Sequence, residues 1–309
     1  MADSPASLRR KIRSAAELQS VVRAMKAQAA ASVGQYEKSV MALGEYARTV
    51  ELGLGVCLRQ NELAVAAAPQ SGGHGKQAIR AVVFGSDQGL VGRFNGVVLD
   101  LAHTTLAALP GQAQVWAVGE RARAGLADGA MPPLGVFAVP SSVQAIAALV
   151  GQILVSVIQQ AADPGQPDAA VELFLFYNRP TSASAYAPAV QRLLPLDDDW
   201  RRDLAQRRWP TKLLPEVLGS HAATLRALIR EYLFVSIFRA FADSLASENA
   251  SRLAAMDRAD RNIDKMLLTL HDNYHRLRQD KIDEELSDVV SGFKGLRDAR
   301  KNVSTSPKT

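Results

Sequence analysis

From Leu8 to Leu54 apolar or small side chains recur every three or four positions: Leu8, Ile12, Ala15, Leu18, Val22, Met25, Ala29, Val33, Tyr36, Val40, Leu43, Ala47, Val50 and Leu54. Such steps average near the 3.5-residue period of a coiled-coil seam, so the stretch predicts one long amphipathic helix. No proline interrupts it between Ala6 and Ala68. Gly34, Gly44, Gly53 and Gly55 each lower helix propensity by about 1 kcal/mol, and they also thin the helix where another element can pack closely. The last part of the chain has the same pattern. Between Ser220 and Ser291 there is neither glycine nor proline, and Leu225, Leu228, Tyr232, Val235, Phe238, Ala242 and Leu245 lead on to Met256, Ile263, Leu267, Leu270, Tyr274 and Leu277. Ile282, Leu286, Val289 and Phe293 continue the series. A helix of this length, at 1.5 Å per residue, exceeds roughly 100 Å, which is a coiled-coil length rather than a globular one. Two such helices at opposite ends of one chain bury their stripes against each other as an antiparallel pair. The C-terminal helix is the longer, so part of it packs elsewhere or projects alone.

The middle of the chain has a different period. Ala78–Phe84 reads as a buried strand, and Gln114–Val118, Gly135–Val139 and Val171–Tyr177 as further strands. Asn95–Leu109 and Val143–Ala161 read as helices. Strands alternating with helices predict a mostly parallel sheet. The predicted fold class is therefore an α+β composite: an antiparallel coiled coil of long N- and C-terminal helices with an inserted α/β (Rossmann-like) domain. The expected divisions are a coiled-coil helix over 1–66, the α/β domain over 76–209, a second coiled-coil helix over 211–296 and a frayed tail over 297–309. The loop Pro69–Gly75 has breaker composition.

Composition narrows the function. With 48% hydrophobic and 22% charged residues among 309, the chain has material for a core and is neither disordered nor collagen-like. Cys57 is the single cysteine, which excludes an intrachain disulfide or a cysteine zinc cluster and reads as a small buried apolar residue. The net charge is +5, but Lys and Arg interleave with Asp and Glu and no basic–aromatic motif accompanies them. An acidic protein partner fits this charge as well as nucleic acid does, and no nucleic-acid binding is expected. The N-terminus has no apolar targeting core. Ala145–Ile158, the most apolar stretch, is too short to span a bilayer, so no direct membrane insertion is expected.

Candidate chemistry is sparse. Gly85-Ser-Asp-Gln-Gly-Leu-Val-Gly92 follows the first strand, where glycine-rich turns cradle phosphates, but it has neither dinucleotide spacing nor a P-loop lysine. A tight turn opening a helix is the expected reading. His271 and His275 stand one helical turn apart without further ligands on that face and read as exposed helix residues. Asp197-Asp-Asp199 reads as a solvated loop. Arg9, Arg10, Lys11 and Arg13, the pairs Arg201–Arg202 and Arg207–Arg208, and Arg276 with Arg278 form basic clusters. These read as solvated faces or as weak contacts to acidic partners. No catalytic, cofactor-binding or metal-ligating residue is expected.

One stretch is more specific. The segment from Tyr232 to Met256 resembles the signature of F-type ATP synthase gamma subunits, with Ser247-Glu248, Arg252 and Ala255-Met256 in the matching core. Tyr274, Arg278-Gln279, Ile282, Glu285-Leu286 and Val290-Ser-Gly292 match that family's C-terminal motif. Ile12 and Ala24-Met25 match its N-terminal helix, and Ser86–Leu90, Gly92 and Asn95 match its first turn. Leu193-Leu-Pro-Leu196 also fits. Val22, Asp260, His275 and Asp283 depart from the family's usual residues, as in a divergent bacterial branch translocating protons or sodium. The resemblance implies a central rotor shaft with no catalytic site of its own. Its partners would be the alpha and beta subunits of a catalytic hexamer, the epsilon subunit and the membrane c-ring. The setting would be peripheral, at the cytoplasmic face of a bacterial inner membrane. Met25, Arg252, Arg278, Gln279 and Glu285 match positions linked to coupling. A coiled-coil scaffold bearing an α/β interaction module is the alternative reading of the same pattern, and a nucleotide-dependent enzyme using the Gly85–Gly92 turn is a further one.

Overall fold

Each apolar stripe forms a single helix in the computed structural model, which describes residues 4–65, 78–159, 171–181, 186–213, 215–217 and 219–303. Helix α1 spans Pro5–Val65 and α6 spans His221–Val303, 61 and 83 residues respectively. Both helices contribute to each of two compact units. One unit comprises Met1–Lys26 with Met256–Thr309, and the other Ala27–Ala255. The Pro69–Gly75 loop lies outside the described residues.

In the first unit Leu8, Ala15 and Val22 are buried at heptad steps on α1, and Met256 and Ile263 at one heptad step on α6. Lys26 meets Asp257, Gln19 meets Asp264 and Arg9 meets Tyr274. Numbers fall along α1 as they rise along α6, which makes the pair antiparallel. The heptad step keeps the seam in register over several turns.

The second unit holds β1 (Ala78–Phe84), α2 (Phe94–Ala107), β2 (Gln114–Val118) and α3 (Glu120–Asp128). Next come β3 (Gly135–Phe137), α4 (Val143–Leu154) with a wide π-turn over Val155–Gln159, β4 (Val171–Arg179), β5 (Ala187–Leu194) and α5 (Asp198–Gln206). The sheet order is β3-β2-β1-β4-β5. The first three neighbour pairs are parallel and β4–β5 is antiparallel. Central β1 is buried on both faces, hence its nearly continuous apolar run. Ile79, Ala81 and Val83 pack with Val98, Ala102, Leu106, Ala122 and Leu126 of α2 and α3. Val82 and Phe84 pack with Ile146, Val150 and Ile153 of α4, Tyr36 of α1, and Leu233, Ile237 and Phe241 of α6. Phe84 and Phe241 meet edge to face at 4.7 Å. One polar residue breaks the run: Arg80, 2% exposed, donates from Nη1 to the Val157 carbonyl of the π-turn at 2.8 Å.

Three elements were absent from the sequence reading. Helix α3 is a nine-residue element following a positive-φ glycine, Gly119. Strand β5 is an edge strand carrying Pro188, which an edge tolerates because one side of its ladder has no partner strand. Helix α5 replaces the loop expected at Asp197–Asp199. Asp197 caps it, accepting N–H bonds from Asp199 and Trp200 at 2.9 and 3.0 Å, and Asp198 and Asp199 sit in the first turn, where the helix dipole favours negative charge. The expected helix Val143–Ala161 is an α-helix only to Leu154; the π-turn follows.

Candidate functional site

The residues that resemblance marks as sites divide between the units. In the first, the antiparallel pair is edged by a polar ladder. Asp260 Oδ1 accepts from Gln19 Nε2 at 3.1 Å and from Arg23 Nε at 3.0 Å, while Lys26 Nζ reaches Asp257 at 2.5 Å. Gln19 also donates to Asp264 at 2.5 Å. The bond from Lys26 holds the Asp257 carboxyl below its ordinary pKa. Asp260, one of the departures from the family pattern, thus sits at the middle of this ladder. Val22, another departure, is a buried seam residue.

Beyond the seam the same helix changes character. Every described side chain from Lys281 to Gly295 is exposed, including Ile282, Leu286, Val289, Val290 and Phe293. Phe293 is 75% exposed. Among the described residues nothing covers these apolar side chains, which recur at helical spacing. Arg278, Gln279 and Glu285 are exposed here, and so is Asp283. Arg278 and Glu285 line one groove with Arg9, Tyr274 and Lys281, and Arg9 lies 5.3 Å over the Tyr274 ring. Met25 is half-buried on α1.

Arg252 belongs to the second unit and is enclosed. Its Nη2 donates to Glu248 Oε1 at 2.7 Å, with 14% and 6% of the two side chains exposed. Burial pushes the Glu248 carboxyl up from its ordinary pKa, Arg252 pulls it down, and Asp87 raises it again. On the same face of α6, Ser247 Oγ donates to the Asn178 carbonyl at 3.2 Å and Ser251 Oγ to the Val91 carbonyl at 2.5 Å. Asn178 Nδ2 donates in turn to the Phe94 carbonyl at 2.9 Å. The end of β4 and the β1–α2 turn form the crevice where doubly wound sheets commonly take ligands. Here α6 itself occupies that crevice.

The Gly85–Gly92 turn is internally committed. Asp87 accepts the Glu120 N–H on one oxygen and the Val139 N–H on the other, both at 3.0 Å. A phosphate at the α3 N-terminus would compete with the chain's own carboxylate. Asn95 accepts from Ser86 N at 2.9 Å and donates to Ser86 Oγ at 2.9 Å, which ties the turn to α2. The packing reading of this turn accounts for all of these bonds.

The remaining candidates take structural places. His271 and His275 stack at 6.4 Å on an exposed face, and no group of three or more metal-ligating side chains occurs among the described residues. His221 Nε2 lies 3.0 Å from the Cys57 carbonyl, and Cys57 is buried. His74 lies outside the described residues. Arg201 pairs with Asp198, Arg202 with Asp199 and Arg207 with Glu51. Arg9, Arg10, Lys11 and Arg13 are exposed. Sequence reasoning passed over the Glu248–Arg252 pair and the Asp257–Asp260–Asp264 ladder. The i,i+4 spacing of Glu248 and Arg252 in a stretch, 244–256, with no other charged residue was the available signal for the first.

A family model described as ATP synthase matches residues 4–296. The ATP synthase gamma chain of Syntrophus aciditrophicus is 40% identical over 111 residues, 35% of this chain and 37% of that one. The gamma chain of Lawsonia intracellularis is 42% identical over 76 residues, 25% and 26% of the two chains. These alignments span about a quarter to two-fifths of the relatives' length. Among solved structures, a chain of the central stalk and c-ring of Tetrahymena thermophila mitochondrial ATP synthase superimposes with a TM-score of 0.53 at 21% identity, covering 77% of this chain and 99% of that one. A chain of the Euglena gracilis mitochondrial ATP synthase (OSCP/F1/c-ring) gives 0.50 at 15% identity, covering 88% and 97%. At these identities the likeness is one of fold.

Proposed function

The chain belongs to the ATP synthase family, beside that family's gamma chains, and from that premise we propose that it is the central rotor shaft of an F-type ATP synthase. The observation that carries the reading is the family match over residues 4–296, on a fold that ends in a helix with an uncovered apolar stripe. In this role the chain transmits torque, and bond-making lies with partner subunits. Alpha and beta subunits surround the exposed end of α6; the epsilon subunit and the c-ring engage the α/β part. No described helix is long and apolar enough to cross a membrane. In this reading the chain sits at the cytoplasmic face of a bacterial inner membrane, held there by its partner subunits.

Met25, Arg252, Arg278, Gln279 and Glu285 serve coupling in this reading, in two ways. Arg278, Gln279 and Glu285 are exposed and free to exchange polar partners as the shaft turns, since exposed ion pairs of about 0–1 kcal/mol each hold without fixing. Arg252 acts from inside, by holding Glu248. Purification of the tagged chain from its native cells tests the assignment. One copy with three alpha-like and three beta-like subunits and ATPase activity is expected; recovery alone or as a homo-oligomer overturns it. Replacing Arg278 and Gln279 together by Ala is expected to weaken ATP-driven ion pumping while the thermal unfolding midpoint stays put. Undiminished pumping would remove those two residues from the coupling surface.

A further inference from the structure

Three elements converge on one buried carboxyl. Glu248, on α6, is 5% exposed. Its Oε1 takes the 2.7 Å bond from Arg252, and its Oε2 is buried with no hydrogen-bond partner among the described residues. From the β1–α2 turn, Asp87 acts on it with like charge. From α1, the buried phenol of Tyr36 feels its charge in turn. On either side, Ser247 and Ser251 fasten α6 to the end of β4 and to Val91 of the same turn.

We propose that Glu248 is a proton-responsive latch that sets how tightly the Gly85–Gly92 turn is held against α6. The physical basis is that the ionised and protonated forms meet this enclosure differently. An ionised Glu248 keeps one oxygen without a hydrogen bond and is repelled by the charge of Asp87, and both features oppose charge there. Arg252 offsets part of that cost but bonds only one oxygen. A protonated Glu248 removes the repulsion and the unsolvated charge together. Proton binding therefore favours the closed arrangement, and proton release favours an opening that returns the carboxylate to water. The pKa of Glu248 is raised in the folded chain, largely by burial. A raised folded pKa gives a contribution that is complete below the unfolded value and lost as pH rises through the folded one. Of the charged and titratable groups, Arg252 bonds Glu248 directly, Asp87 repels it, and Tyr36 feels its charge. The latch rests on the fold alone and not on the rotor assignment.

Hydrogen–deuterium exchange of the full-length chain, corrected for intrinsic rates, reads the latch directly. From mildly acid to mildly alkaline pH, protection of amides in 86–92 and 247–252 is expected to fall, by about tenfold for each pH unit by which the fold lifts the Glu248 pKa. In Glu248→Gln, which imitates the protonated form, protection of the same amides is expected to stay at its acid-side value across the range. In Asp87→Asn the wild-type slope is expected to become shallower, because the repelling charge is gone. A flat wild-type profile overturns the proposal. So does a Glu248→Gln profile that still falls, or an Asp87→Asn slope equal to the wild type. If Glu248→Gln does not fold, the wild-type and Asp87→Asn profiles decide.

Discussion

At the residue scale the enclosed pair is the most exacting feature. Truncating Arg252 to Ala leaves Glu248 buried without the guanidinium that bonds it, and removing one member of a buried pair costs about 3–5 kcal/mol. Chemical denaturation is expected to show a loss of this order, whereas Arg278→Ala, on an exposed surface, is expected to stay within about 0.5 kcal/mol of wild type. The two residues match equally well to the family's motifs, and the sequence alone does not separate them. Burial separates them, because it depends on which turn of α6 meets the β1–α2 turn, a tertiary fact. Cys57 was legible as a buried small residue because lone cysteines commonly are. The Asp197–Asp199 run was not, because a helix cap and a solvated loop share one composition; only the bonds from the Asp199 and Trp200 amides tell them apart.

At the element scale the long helices were legible and their close approaches only partly. Stripes repeated every three or four residues over many turns admit one structure, so α1 and α6 followed from pattern. The glycines in α1 pointed to close packing, and Gly55 is where it happens: a Cβ there would lie 2.4 Å from the Leu204 carbonyl oxygen of α5. Gly55→Ala is therefore expected to destabilise the chain by about 1–3 kcal/mol in denaturant titrations, since backbone cannot give way as a side chain can. At Gly34 and Gly44 nothing approaches within 4 Å, so Ala is expected to be neutral or stabilising by up to about 1 kcal/mol. Short elements such as α3 and β5 carry too few periods to announce themselves, and β5 hides behind Pro188. The Asp257–Asp260–Asp264 ladder also belongs to this scale. Asp260 is only 15% exposed and accepts from the buried Gln19 as well as from Arg23, so Asp260→Ala is expected to cost about 1–3 kcal/mol.

At the scale of the whole molecule two carboxyls, one in each unit, answer pH with opposite signs. Asp257, held below its ordinary pKa by Lys26, contributes stability above the unfolded pKa and loses it as pH falls through the folded one. Glu248, raised by burial, contributes below the unfolded pKa and loses its contribution as pH rises. Acidification is thus expected to loosen amides around the Lys26–Asp257 contact while tightening the Gly85–Gly92 turn, and regional hydrogen exchange on one sample reads both. The composite of helix pair and Rossmann-like sheet was legible in outline, since period 3.5 at the ends and alternating strands and helices in the middle hardly overlap. What the sequence could not display was the seating of α6 in the sheet's crevice, because Ser247 and Ser251 are ordinary helix residues until their carbonyl partners are placed.

The uncovered stripe of Ile282, Leu286, Val289, Val290 and Phe293 bears on the chain's life before assembly. A newly made copy displays apolar surface of the kind that chaperones and proteases survey, and it does so for as long as no partner encloses it. In the proposed assembly its steady-state abundance is expected to follow the supply of those partners, with surplus copies cleared or aggregated and enclosed copies persisting. A helix end left bare in the isolated chain in this way sets its own stoichiometry.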